Sequence, residues 1–146
     1  MHLARILLLQ FGEDRRMSHR NEEEPARRSR FRLDSEYVGA AKSSVMCVTG
    51  NIDWTTSSEL RSEIDECLVL DHPAHLIVDL NQVIRVDSSG VGALVSSLRE
   101  ADKQHVQFTL CGVNPSLRRL LHRTCLDDVF EIRQNVSDAL RAARVH

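Results

Sequence analysis

From Arg30 onward the apolar positions switch repeatedly between a spacing near two and a spacing near three and a half, and each switch marks an element. Phe31 to Leu33 and Tyr37-Val38 are short strand candidates. Val45-Met46-Cys47-Val48-Thr49 is a stronger β-branched run that Gly50-Asn51 is expected to close. Thr56 and Glu59 then stand at capping-box spacing, and Leu60, Ile64, Cys67 and Leu68 form one apolar stripe. The stripe predicts an amphipathic helix ending near Asp71-His72-Pro73 and lying on a sheet. Leu76-Ile77-Val78-Asp79-Leu80 is nearly continuous in apolar character, as a parallel strand covered on both faces must be. After Val86, Asp87-Ser88-Ser89 offers capping side chains to a helix striped by Val91, Leu94, Val95 and Leu98. Of the two serines, Ser89 is expected to be the better placed to cap. Val106 to Cys111 reads as a strand, and Asn114-Pro115 announces a third helix with Leu117, Leu120 and Leu121 facing inward. Phe130-Glu131-Ile132 reads as a short strand and Ser137 to Ala143 as a last helix. This alternation predicts an α/β domain over residues 30–146, with a mixed sheet of roughly four to five strands and about four helices.

Residues 1–29 follow another rule. From Gly12 to Ser29 large apolar residues are few and charges many, the make-up of a flexible, disordered extension, and Met17 within it is a candidate translation start. The apolar stretch Ile6 to Leu9 is far shorter than the ~20 residues of a membrane span, and no small-residue cleavage site follows it. Neither membrane insertion nor export is expected. A chain of 146 residues suffices for one core, and with one Trp, one Tyr and four Phe that core must be built from Leu, Val, Ile and Ala. The same poverty leaves little aromatic surface for stacking on bases. Residues 1–33 hold 8 Arg against 5 acids, net +3, whereas residues 34–146 hold 11 bases against 16 acids, net -5. An acidic body works against binding nucleic acid, and Glu22-Glu23-Glu24 offsets the Arg-rich extension. Cys47, Cys67, Cys111 and Cys125 contain no C-x-x-C, which removes the zinc-finger and thioredoxin signatures and suits reduced thiols of a cytoplasmic protein.

The segment with chemical promise is Asp87-Ser88-Ser89-Gly90. A serine between a strand and a helix lies beside unpaired backbone N–H groups that tolerate an added phosphate. That phosphate brings ~1.5 to 2 negative charges, enough to oppose burial against a partner. Taken alone, the serines read more readily as helix caps than as phosphoacceptors. Gly90 and Gly92 either keep the loop rim low for an approaching protein or serve packing and turn geometry. A hydrolase nucleophile is excluded because Val86 and Asp87 stand where G-x-S-x-G needs glycine, and Gly90-Val91-Gly92 lacks the completion of a phosphate-binding loop. His72 and His75 flank Pro73-Ala74 in what reads as an exposed turn, and His122 with Cys125 reads as packing or surface. Asp53 is either a turn-forming side chain or the border of a binding surface. Arg118, Arg119 and Arg123 lie off the Leu stripe of their helix, on a solvated face. No acid/base pair, metal-ligand cluster or cofactor motif is apparent, so no enzyme and no cofactor is expected.

Five blocks in order carry a resemblance: Gly50-Asn51-Ile52-Asp53, Leu76 to Leu80, Val86-Asp87-Ser88-Ser89-Gly90-Val91-Gly92-Ala93-Leu94, Cys111-Gly112-Val113, and Leu126-Asp127-Asp128-Val129-Phe130. Over residues 30 to 146 the chain resembles the STAS family, specifically bacterial anti-sigma-factor antagonists. The resemblance reverses the odds on the loop and implies a partner-switching cycle. An anti-sigma factor with serine kinase activity is captured by the unmodified antagonist, phosphorylation of a loop serine ends the capture, and a serine phosphatase restores it. By position the acceptor is Ser88, with Ser89 as the alternative. Asp53, Asp87, Ser88, Ser89, Gly90, Val91 and Gly92 are the expected partner surface. The competing expectation is a non-phosphorylated STAS subunit assembled on the ATPase of a membrane-lipid transport complex, as lone domains of this family serve.

Overall fold

The computed structural model describes Arg30 to Arg144. The expected extension over residues 1–29, with its apolar start and Met17, lies outside the described residues. A five-stranded sheet has the order β1 (Arg32–Val38), β2 (Ser43–Ile52), β3 (His75–Val86), β4 (Gln107–Cys111), β5 (Glu131–Arg133), so neighbours in sequence are neighbours in space. The first pair is antiparallel and every later pair parallel. The helices are α1 (Ser57–Asp71), α2 (Ser88–Lys103), α3 (Pro115–Arg123) and α4 (Val136–Arg141). This is the α/β architecture that the alternation predicts.

The main core lies on the sheet face covered by α1, α2 and α3. Leu60, Ile64, Cys67 and Leu68 of α1 and Leu94 of α2 meet Met46, Val48, Leu76, Val78, Leu80 and Leu110 of the strands. The opposite face is closed by the short α4, whose Val136 and Ala139 pack on Val45, Ile77 and Cys111. β3 is therefore buried from His75 to Leu80 on both sides, which explains its continuous apolar run.

Several boundaries differ from the local pattern. The two short candidates merge into one strand that begins at Arg32, with Phe31 just outside it, because Ser35 and Glu36 continue the ladder opposite Met46 and Val45. Gly50-Asn51 does not close β2. Gly50 takes φ of 100°, the register shifts, and pairing resumes up to Ile52 opposite Val86. β3 correspondingly runs six residues past Leu80 to Val86, and β2 and β3 rise together beyond the end of β4. Thr56 precedes α1 but makes no side-chain cap bond there, its hydroxyl being turned back onto the Asn51 carbonyl at 2.9 Å. His75 is buried in β3, with Nε2 2.7 Å from Thr109 Oγ1, whereas the expected exposed turn is confined to His72 at the left-handed end of α1. Asn114 caps α3 as expected, accepting from the Leu117 amide at 2.8 Å.

Candidate functional site

The raised ends of β2 and β3 carry the two loops that hold the expected site residues. The Asp87 amide donates to the Ile52 carbonyl at 3.1 Å, which ties the second loop to the end of β2. Asp87 has the extended backbone of an N-cap, and its carboxylate accepts from the Gly90 amide at 3.0 Å. Asp87, and not Ser89, is thus the cap of α2. A carboxylate just outside the helix reaches the third amide, whereas hydroxyls already inside the first turn project outward. Ser88 and Ser89 are the first two helical residues, both are exposed, and neither hydroxyl has a hydrogen-bond partner among the described residues.

The two glycines divide the roles held open for them. A methyl group on Gly90 would lie 2.5 Å from the Ile52 carbonyl oxygen and 2.7 Å from Val86 Cγ1, so Gly90 allows α2 to seat directly on the strand ends. Gly92 has nothing within 4 Å of the same position and leaves open space in front of the helix. That space belongs to a groove of ≈ 470 Å³ between α2 and α3, walled by Ser88, Val91, Val95, Arg99, Leu120 and Leu126. Ser88, Val91 and Gly92 therefore come together on one surface, Asp87 and Gly90 hold their loop, and Ser89 is not among the residues that line the groove.

Asp53 begins the other loop. Its Oδ1 accepts from the Thr55 amide at 2.9 Å and from the Thr55 hydroxyl at 2.6 Å, and these bonds hold its carboxyl below the usual carboxylate range. The Asp53 amide in turn donates to Thr56 Oγ1 at 2.9 Å. Asp53 is a turn-forming side chain whose carboxylate is already engaged. Its neighbour Trp54 is 75% exposed, the largest apolar side chain on the described surface to be so, and Ile84 on the raised part of β3 is 54% exposed. Sequence reasoning passed over Trp54. The available signal was the single Trp of an aromatic-poor chain placed directly after a turn aspartate.

Other reactive groups lie outside this surface. Cys47, Asp79 and Cys111 stand in register across β2, β3 and β4. Two strand spacings, ~9.6 Å, separate the cysteines, beyond the ~7 Å that a disulfide spans. Burial pushes the Cys111 thiol far up, and none of the four cysteines forms a disulfide. Burial also drives the His75 ring down to about 4, so it is neutral at physiological pH. His122 lies on the surface, paired with Asp127 at 2.8 Å. Among the described residues no cluster of His, Cys, Asp and Glu fits a metal ion, and no helix is long and apolar enough to cross a membrane.

These features define a small α/β domain with a pair of unbonded hydroxyls at the mouth of one helix. Residues 36–139 match the family model described as STAS domain, and the chain belongs to that family. It is similar to an anti-sigma F factor antagonist of Paenibacillus polymyxa, 27% identical over 101 residues, which are 69% of this chain and 86% of the relative. It is also similar to an anti-sigma-B factor antagonist of Listeria monocytogenes, 29% identical over 59% of this chain and 75% of that one. The crystal structure of an anti-sigma factor antagonist from Mycobacterium paratuberculosis superposes with a TM-score of 0.71 and 29% identity, over 80% of this chain and 97% of the other.

Proposed function

We propose that this chain is a cytoplasmic anti-sigma-factor antagonist that binds an anti-sigma factor with serine kinase activity and is released when Ser88 is phosphorylated. It acts by occupancy of a partner, not by catalysis, and a serine phosphatase resets it. Similarity to anti-sigma factor antagonists supports the class of partner. The observation that carries the switch is the setting of Ser88: exposed, unbonded, at the first position of α2 and on the wall of the groove.

The physical consequences are opposite for fold and for docking. In the first turn of a helix a dianion meets free N–H groups and the positive end of the dipole, so the fold tolerates it. In a surface that a partner must cover, the same charge opposes desolvation and repels carboxylates. Ser89 shares the exposure but not the groove, which favours Ser88 as the residue whose modification is felt by the partner. Asp87 and Asp53 act by fixing the two loops at this end of the sheet, and Trp54, next to Asp53, is exposed there.

Incubation with an anti-sigma serine kinase of the same organism and ATP, followed by peptide mass spectrometry, tests the reading. Phosphate on Ser88 is the expected result. A loop peptide that stays unmodified with every such kinase would overturn the switch and favour the non-phosphorylated assembly subunit of a lipid-transport ATPase.

A further inference from the structure

We infer that the outer flank of α1 is the docking surface for this chain's own amino-terminal extension, residues 1–29. Charge is the first ground. Residues 57–71 hold five acids against Arg61 alone, net -4, so this one helix supplies nearly all of the net -5 of residues 34–146. Residues 1–33 carry net +3. Their acids do not dilute the arginines evenly: Glu22-Glu23-Glu24 stands between Arg15-Arg16-Met17-Ser18-His19-Arg20 and the stretch Pro25 to Leu33, which has four arginines and no acid. The most basic part of the extension is thus the part that joins the domain.

Helix geometry sorts the acids of α1. Glu59, Glu63, Glu66 and Leu70 recur at spacings of four, three and four, one stripe that runs alongside the buried row Leu60, Ile64 and Cys67. Glu59 and Glu66 are exposed, and at the far end of the stripe Leu70 and its neighbour Val69 are each 58% exposed. The flank therefore offers carboxylates over its first three turns and an open apolar pair at its last, the same two kinds of group that the extension carries as arginines and as Ile6 to Leu9, with opposite sign for the charges.

Topology brings the two together in the right order. β1 is an edge strand, and its first residue, Arg32, pairs with Thr49 close to the end of β2 from which the chain passes into α1. Phe31, just before β1, packs on the main core, on the sheet face that α1 covers. The extension accordingly joins the domain on the side where α1 lies and at the end where α1 begins. Arg27 and Arg28, next to that junction, fall to Glu59 and Glu63. α1 has 15 residues, about 22 Å, and residues 10–29 exceed that length even at about 1.5 Å per residue, so Ile6 to Leu9 can reach Val69 and Leu70. A segment with many charges and few apolar residues has no core of its own and gains order from a surface of opposite sign. Exposed arginine–carboxylate pairs are individually weak, which makes this docking reversible and sensitive to salt.

The test uses the full chain, labelled with nitrogen-15, and reads backbone amide relaxation by NMR at about 0.05 M salt. The amides of Arg20, Arg27 and Arg28 are expected to show order parameters above about 0.6 and to fall below that value at about 0.5 M salt. The double variant Glu59→Lys, Glu66→Lys should release them in the same way and speed tryptic cleavage after Arg27 and Arg28 by at least roughly tenfold. Adding Arg27→Glu and Arg28→Glu to that variant should restore the order, a rescue that damage to the fold would not give. Asp102→Lys with Asp128→Lys, the same charge change at exposed positions elsewhere, should leave the extension as it was. Val69→Ser with Leu70→Ser should release Ile6 to Leu9, with unshifted amides of Leu76 and Leu94 showing that the core is intact. An extension that is already mobile in the unmodified chain at low salt would overturn the inference. So would order that ignores the reversal at Glu59 and Glu66, or that responds equally to the reversal at Asp102 and Asp128.

Discussion

The two ends of the parallel strands handle polar groups in opposite ways. At the amino-terminal end, polar side chains are tucked in and bonded, apart from His75 Nδ1, which is buried without a hydrogen-bond partner among the described residues. His75 pairs with Thr109, Gln107 donates to Glu131 and to the Ala142 carbonyl, and the Arg144 amide returns a bond to Gln107. A hollow of ≈ 380 Å³ at that end is walled in part by these same groups. At the carboxyl-terminal end, β2 and β3 rise clear of β4 and present Ser88 and Ser89 without partners, Trp54 without cover and Gly92 facing open space. The first end spends its polar groups on fixing α4 to the sheet. The second leaves them available, and that difference supports the proposal that the partner docks at this end.

If this contrast is sound, perturbations at the open end should change binding and leave stability alone. Ser88→Glu should weaken capture of the anti-sigma kinase by roughly a hundredfold, about 3 kcal/mol, with the melting temperature unchanged. Ser88→Ala should bind as the unmodified chain does; pull-downs with both variants check this.

Gly90 is where the open end is anchored, and there the rule should break. With 2.5 Å between an added methyl and the Ile52 carbonyl, Gly90→Ala should cost roughly 2 to 3 kcal/mol of stability in urea denaturation, because backbone and not a flexible side chain must move. A neutral outcome would mean that α2 is not seated on β2 as described.

At the closed end, pH supplies the lever. The folded-state pKa of His75 is about 4, below its ordinary value of 6.5, so between these values the unfolded chain binds the proton that the folded chain refuses. The stabilisation is complete above pH 6.5 and is lost as pH falls toward 4. The loss should amount to roughly 2 to 3 kcal/mol, and His75→Gln should flatten that part of the stability profile. A profile identical in both proteins would place the titration elsewhere.

Smaller effects sharpen the picture. Trp54→Ala should reduce partner affinity by roughly tenfold while changing stability by less than ~0.5 kcal/mol, since an exposed indole contributes to an interface and not to the core. Calorimetric titration beside thermal melting separates the two. Gly92→Ala, with open space around the new methyl, should raise stability by roughly 0.5 to 1 kcal/mol through helix propensity alone.

How far these features were readable in advance depended on whether the cause was local. The α1 stripe of Leu60, Ile64, Cys67 and Leu68 is buried as its periodicity implies, and Asn114-Pro115 begins α3 because a cap and a proline act on their own turn. The Asp87 loop and its serines were likewise visible. What escaped was set by pairing and packing. β1 spans Ser35 and Glu36 because β2 supplies a ladder beside them, and Gly50 bends a strand that local rules would end. His75 looked like half of an exposed turn until the strand took it inside. The resemblance ranked Ser88 above Ser89 by position alone, and the physical difference between them, that Ser88 lines the groove and Ser89 does not, arises only when α3 lies against α2.

The most direct test is the affinity of the anti-sigma serine kinase for this chain before and after stoichiometric phosphorylation of Ser88, measured by isothermal titration calorimetry. The account predicts tight binding to the unmodified form and a loss of at least roughly a hundredfold on modification, with an unchanged melting temperature. Equal affinity for the two forms would contradict it.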